Sequence, residues 1–130
     1  KKITIISVCY NSEKTIRSTL ESVKIQKYEN IEHLIIDGSS TDKTMSIIKD
    51  YPHIKKVISE PDKGIYDAMN KGIEIATGDI IGFLNSDDFY FNNEVLSSVA
   101  STFDLNSSID ACYADLIYTD QVDISKVVRY

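Results

Sequence analysis

Apolar and polar positions alternate along this chain in blocks. Ile3-Thr4-Ile5-Ile6-Ser7-Val8-Cys9 is short, β-branched and mostly apolar, the pattern of a strand buried on both faces. Tyr10-Asn11-Ser12 breaks the run. Ser12 can cap a helix from about Glu13 to Gln26, in which Ile16, Leu20 and Val23 form one apolar stripe. A second strand, Ile31 to Ile36, stops at Asp37-Gly38-Ser39-Ser40. The next helix starts at Thr41 or Asp42, buries Met45 and Ile48, and ends before Tyr51-Pro52. A third strand spans Lys55 to Ser59, and Glu60-Pro61-Asp62-Lys63-Gly64 turns the chain. Ile65, Met69, Ile73 and Ala76 then mark a helical face, with Gly78 expected as its left-handed cap.

Asp79 to Leu84 is a fourth strand and runs directly into Asn85-Ser86-Asp87-Asp88. A helix near Asn93 to Phe103 turns Val95, Leu96, Val99 and Phe103 inward. Ala111 to Tyr118 is expected as a fifth strand, with Ser125 to Tyr130 returning beside it as a hairpin across Thr119 to Ile124. Four alternations of strand and helix predict an α/β fold, a mostly parallel sheet flanked by helices. Right-handed crossovers then bring every strand's C-terminal end to one edge, where ligands bind in open α/β sheets. All four strand ends there carry polar or charged residues, so a shared pocket is expected.

Composition and charge narrow the chemistry. A chain of 130 residues is one domain at most, and 20 Asp and Glu against 14 Lys and Arg give a net charge of −6. No Lys or Arg lies between Lys71 and Lys126, a span that holds ten acids, so it carries −10 and the remainder +4. Without a basic cluster the chain has no grip for nucleic-acid phosphates, and nucleic acid is excluded as a partner. Cys9 and Cys112 lie in apolar runs, outside any metal-like spacing, and are expected as reduced core residues of a cytoplasmic protein. No apolar stretch reaches the ~18 residues of a membrane span, and the Lys1-Lys2-Ile3 start is too short for a signal peptide. Peripheral association at the inner face of a membrane is compatible with the sequence.

Among the candidate residues, Asp87-Asp88 is the sharpest feature. Adjacent carboxylates after a buried strand repel each other unless solvent or a cation compensates, and Mg²⁺ or Mn²⁺ does so while keeping positions for water and phosphate oxygens. The competing explanation is a helix-entry loop whose acids favour the positive end of the next helix. The chain has no G-x-G-x-x-G after the first strand, no P-loop motif and no Gly-x-Ser-x-Gly, which disfavours dinucleotide-dependent, P-loop and nucleophile-elbow enzymes. His33 and His53 are expected at the surface, and Tyr10 and Tyr66 as packing residues.

Taken together, Ile6-Ser7-Val8-Cys9-Tyr10-Asn11, Ile36-Asp37-Gly38-Ser39-Ser40-Thr41-Asp42-Lys43-Thr44, the segment from Glu60 to Gly72, Gly78-Asp79 and Asn85-Ser86-Asp87-Asp88 resemble glycosyltransferase family 2, with its GT-A fold. The motifs occur in the family's order over about the first two thirds of the chain. The resemblance implies a nucleotide-sugar donor, with a UDP-sugar favoured, held through Mn²⁺ or Mg²⁺. It implies transfer with inversion to a polysaccharide or lipid-linked acceptor, in an enzyme of bacterial type. Asp87 matches the metal position of the DXD motif, with Asp88 beside it and Ser86 in the same donor-binding loop. Asn85 stands where many members carry the first aspartate. Val8, Tyr10 and Asn11 match the wall of the nucleoside pocket. Asp37 matches the first acid of the family's Asp-Asp-Gly-Ser, and Gly38 stands at the second. Lys63 is placed to approach the base or diphosphate, and Asp67 and Asn70 to face the pocket from one helix.

The family's catalytic base lies well past its metal motif, so the resemblance puts it beyond Tyr130 and makes residues 1–130 a single donor-binding domain lacking much of the acceptor-binding part. A nucleotide-diphosphate-binding module without catalytic output is the alternative. A nucleotidyltransferase would want a glycine-rich basic loop where Tyr10-Asn11-Ser12-Glu13 stands.

Overall fold

Seven consecutive residues of β1 (Ile3–Cys9) are buried, because this strand lies inside the sheet and is covered on both faces. The computed structural model describes residues 1–120, 123, 125 and 127–129. β1 is followed by α1 (Ile16–Lys24), β2 (Ile31–Asp37), α2 (Thr44–Ile48), β3 (Lys56–Ser59), α3 (Ile65–Ile75), β4 (Ile80–Phe83) and α4 (Val95–Leu105). The sheet order is β3-β2-β1-β4, and all three pairings are parallel. Ile3 is in register with Ile31 on one side and Ile80 on the other, and Cys9 is in register with Asp37.

Period-two alternation divides the core. Ile3 and Ile5 pack with Val23 of α1 and with Leu96 and Ala100 of α4, while Cys9 and Ile35 meet Ile16 and Leu20 of α1 and Ile48 of α2. On the opposite face Ile6, Val8, Leu34 and Ile36 pack against Ala68 of α3. Each fully buried Ile or Leu contributes about 1.5–3 kcal/mol by leaving water, which is what holds the layers together.

The structure corrects the expected helix limits. Ser12 does not cap α1 with its side chain; its carbonyl accepts the Thr15 and Ile16 N–H groups and the helix starts at Ile16. The second helix is only five residues long. The inward face of α3 is also rotated from the expected one. Ala68 and Gly72 are buried, with Met69 and Ala76 packed beside them, whereas Ile65 and Ile73 are exposed. The reason is close approach, since a Cβ at Gly72 would stand 2.6 Å from Ile6 Cγ2.

Gly78 does not act as a left-handed cap. Gly64 is the only glycine with positive φ among the described residues, and α3 ends through an extended Ala76. Gly78 is small because the chain passes against β1: its N–H donates to Thr4 Oγ1 at 2.9 Å, and a Cβ there would meet Thr4 N at 2.7 Å and Lys2 O at 2.9 Å.

His33 is buried, contrary to expectation. Its position on β2 faces inward, where Nε2 meets Ser7 Oγ at 2.9 Å and Nδ1 meets His53 Nε2 at 3.2 Å. Burial, with the neighbouring His53, lowers its pKa to about 3 and keeps the ring neutral. His53 is half-buried beneath it, the two rings stacked at 5.4 Å.

Beyond α4 the expected strand over Ala111 to Tyr118 reduces to β5 (Tyr118–Thr119), paired antiparallel with β6 (Val127–Arg129). Ala111 to Ile117 are exposed, so Cys112 is a free surface thiol rather than a core residue. An apolar run forms a strand only where a neighbour takes up its backbone hydrogen bonds. Of the expected hairpin, Gln121, Val122, Ile124, Lys126 and Tyr130 lie outside the described residues.

Gly78→Ala is expected to lower stability by about 1–3 kcal/mol through overpacking against backbone, read as a lower urea midpoint with an unchanged slope.

Candidate active site

Parallel pairing puts four strand ends on one edge, and the first two loops are bound to each other there. Asn11 takes a left-handed conformation, φ 48°, which turns the chain sharply after β1. Its N–H donates to Ser40 Oγ at 2.8 Å, and its Oδ1 accepts the Thr41 N–H at 2.8 Å. Ser39 is left-handed as well, φ 64°, and Gly38 N–H donates to Cys9 O at 2.9 Å. The Asp42 carboxylate accepts the Thr44 and Glu13 N–H groups; desolvation opposes its charge, but these hydrogen bonds prevail and lower its pKa.

Asp37 is 0% exposed, at the end of β2. Oδ2 accepts the Ser40 N–H at 2.9 Å and Ser59 Oγ–H at 2.7 Å, and Oδ1 accepts the hydroxyl of Ser40 and the Cys9 thiol. Burial pushes this carboxyl up, but the hydrogen bonds outweigh it and the pKa is lowered. Burial and the Asp37 charge together push the Cys9 thiol up, so it stays protonated. Both Asp37 oxygens are thus occupied by protein donors.

The third loop carries Gly64 at φ 112°. Asp62 Oδ1 accepts the Gly64 N–H at 3.0 Å, and Asp67 Oδ2 accepts the Lys63 N–H at 2.9 Å. Lys71 is anchored to Glu60 at 3.1 Å and to Pro61 O at 3.0 Å. The fourth loop is held from below, where the buried Thr19 hydroxyl donates to Asp88 O at 2.6 Å. It is held from the side by Ser12 Oγ, 2.8 Å from Ser86 Oγ. Asn85 Oδ1 is buried and has no hydrogen-bond partner among the described residues.

A groove of about 700 Å³ opens between these loops. Of the residues singled out in the sequence, Val8, Tyr10, Asn11, Asn85, Ser86 and Asp87 line it. Asp37 lies buried beneath it. Gly38 adjoins it through Tyr10 and Asp62, while Lys63, Asp67, Asn70 and Asp88 fall outside its lining. Tyr10 and Tyr66 are exposed, not packed. Sequence reasoning missed Ser12, Lys14 and Asp62 as lining residues. In the sequence Ser12 reads as a helix cap, and the left-handed turn at Asn11 that swings Ser12 and Lys14 to the rim has no sequence mark beyond the asparagine itself.

Neither the Asp87 nor the Asp88 carboxylate makes an ion pair or hydrogen bond among the described residues. Partial desolvation, with the Asp87 charge beside it, raises the Asp88 pKa. No set of three or more His, Cys, Asp or Glu is gathered for a metal among the described residues. The two unpaired carboxylates suit a hard cation that completes its shell with water and phosphate oxygens.

The model of the family described as Glycosyl transferase family 2 matches residues 4–127. The chain belongs to this family. Over 97 residues it is 37% identical to an uncharacterized glycosyltransferase of Mycobacterium tuberculosis, covering 73% of this chain and 37% of that protein. Over 117 residues it is 32% identical to a PGL/p-HBAD biosynthesis glycosyltransferase of Mycobacterium bovis, covering 87% of this chain and 46% of that one. The crystal structure of S. aureus TarS 1–349 in complex with UDP-GlcNAc matches with a TM-score of 0.78 at 26% identity, over 89% of this chain and 37% of that 1–349 chain. The sheet is therefore the GT-A sheet. This family 2 chain spans between about a third and a half of the length of these relatives. No helix of its described residues is long and apolar enough to cross a membrane.

Because the folded Asp37 carboxyl has the lower pKa, its contribution to stability is present above the unfolded value near 3.9 and is lost as pH falls through the folded value. Asp37→Asn is expected to cost about 1–3 kcal/mol at pH 7 and to flatten the loss of stability below about pH 4, as followed by urea midpoints from pH 7 to 2.

Proposed function

We propose that this groove binds the nucleotide-sugar donor of a glycosyltransferase, through a divalent cation, Mn²⁺ or Mg²⁺, held at Asp87 and Asp88. The observation that carries the reading is the pair of uncompensated carboxylates at the end of β4, with Asp87 in the same groove as Tyr10, Asn11 and Lys14. Two acids with no protein cation leave a negative site where an anionic diphosphate must sit, and a bound divalent cation cancels that charge and offers the diphosphate a direct ligand. TarS, which shares the fold, was crystallised with UDP-GlcNAc, and this supports a diphosphate-linked sugar as the ligand class.

Departure of the nucleoside diphosphate places negative charge on the leaving oxygen, and a metal ion bound here stabilises that charge as it develops. The residues of this chain provide the setting. Lys14 adds positive charge at the rim, and the Ser12–Ser86 contact fixes the metal loop against the first loop. Asp37 acts as a positioning residue under the groove. Asp67 and Asn70, with Lys63, form an outer face that the donor reaches only beyond the groove. Transfer proceeds with inversion, to a glycan or lipid-linked acceptor, in keeping with the family resemblance.

The test is thermal unfolding with UDP, with and without Mn²⁺. A ligand at one hundred times its Kd stabilises the fold by about 2.7 kcal/mol. Wild type is expected to show this stabilisation only with metal present. Asp87→Ala should lose it while keeping the metal-free melting temperature, and stabilisation that persists in Asp87→Ala refutes the assignment.

A further inference from the structure

The groove has two ends, and its far end from Asp87 has a chemistry of its own. In the order β3-β2-β1-β4, the Asp62 loop follows β3 and the Asp87 loop follows β4. Three strand spacings separate them, roughly 14 Å, a length that an extended nucleoside diphosphate covers. With its diphosphate at Asp87, such a ligand crosses β1 at Tyr10 and brings its base toward Gly38 and Asp62.

What meets the base there is specific. Gly38 has no side chain, and a Cβ added to it would lie 2.8 Å from Asp62 Oδ2 and 3.6 Å from Tyr10 Cδ1. The bare glycine thus leaves a shelf with a carboxylate at one border and an aromatic ring at the other. Tyr10 is 63% exposed, which leaves its ring accessible for stacking. Asp62 is half-buried, and its two oxygens are not equivalent. Oδ1 is committed to the Gly64 N–H at 3.0 Å, whereas Oδ2 has no hydrogen bond among the described residues. An ionised carboxylate oxygen only accepts, so the shelf asks for a donor.

We propose that Asp62, set over Gly38 beside the Tyr10 ring, is the specificity-determining residue for the nucleobase, its Oδ2 accepting a ring N–H of uracil or guanine. Cytosine and adenine present a ring nitrogen lone pair at the corresponding position, which repels the carboxylate. The inference rests on the donor-binding reading above and adds to it a residue from the third loop.

The turn bond makes the substitution directional. Asp62→Asn can keep Oδ1 on the Gly64 N–H, which puts Nδ2 where Oδ2 was and turns an acceptor into a donor. Calorimetric titration with UDP, CDP, GDP and ADP in the presence of Mn²⁺ reads the result, with pyrophosphate and Mn²⁺ as the probe of the diphosphate end. Wild type is expected to bind UDP and GDP at least about tenfold more tightly than CDP and ADP. Asp62→Asn should weaken UDP about tenfold and narrow or reverse the UDP-over-CDP preference, with pyrophosphate affinity unchanged. Gly38→Ala keeps the carboxylate but crowds it, and should weaken UDP without touching pyrophosphate. A wild type indifferent to the base or preferring CDP or ADP, or an Asp62→Asn protein that keeps the wild-type preference, overturns the inference while pyrophosphate binding preserves the donor-site reading. Failure of every nucleotide and of pyrophosphate to bind overturns both.

Discussion

The edge that carries the groove rests on a carboxylate cut off from water. An uncompensated buried charge costs several kcal/mol, so Asp37 is tolerable only with its donors in place. Those donors come from different parts of the chain: Cys9 from the end of β1, Ser59 from the end of β3, and Ser40 from the loop after β2. The charge therefore fixes three strand ends relative to one another. Three of the four loops around the groove start from those ends, so their positions are set by one buried group that never needs to meet the ligand, while the loop after β4 is held separately through Thr19 and Ser12.

Much of the architecture was legible because the parallel strands are nearly unbroken apolar runs and α1 carries a clear stripe at Ile16, Leu20 and Val23. The reading failed where packing is done by absence. Gly72 and Ala68 form the inner face of α3 because they are small, while a hydrophobic pattern gives its weight to Ile65 and Ile73, which lie outside. His33 was misplaced for a related reason: in a strand covered on both faces there is no polar alternation to say which way a side chain points. Ala111 to Tyr118 has strand-like composition, but composition does not supply a neighbour for its backbone.

In the groove, the legible residues are those attached directly to the strand ends. Tyr10, Asn11, Ser86 and Asp87 lie within four residues of such an end, so topology alone brings them together. Lys14, five residues past β1, arrives through the turn at Asn11, and nearness to a strand end does not suffice after β3, where Asp62 and Lys63 both lie within four residues of Ser59 and the loop around Gly64 puts only Asp62 in the lining. The uneven charge keeps its meaning in three dimensions: the acid-rich half brings Asp87 and Asp88, and the basic half brings Lys14.

The two outer strands of the sheet leave their backbones open in different ways. β3 begins at Lys56, next to Lys55, and such charges discourage pairing with another chain. β4 is Ile80-Ile81-Gly82-Phe83, with no charge and with Ile81 and Phe83 exposed, and no strand pairs on its far side among the described residues. Lengthening the hydrogen-bond ladder is therefore easier at β4 than at β3. A polypeptide that joins this sheet through its backbone, as an orderly extension or as the first step of aggregation, meets less opposing charge at β4 than at β3.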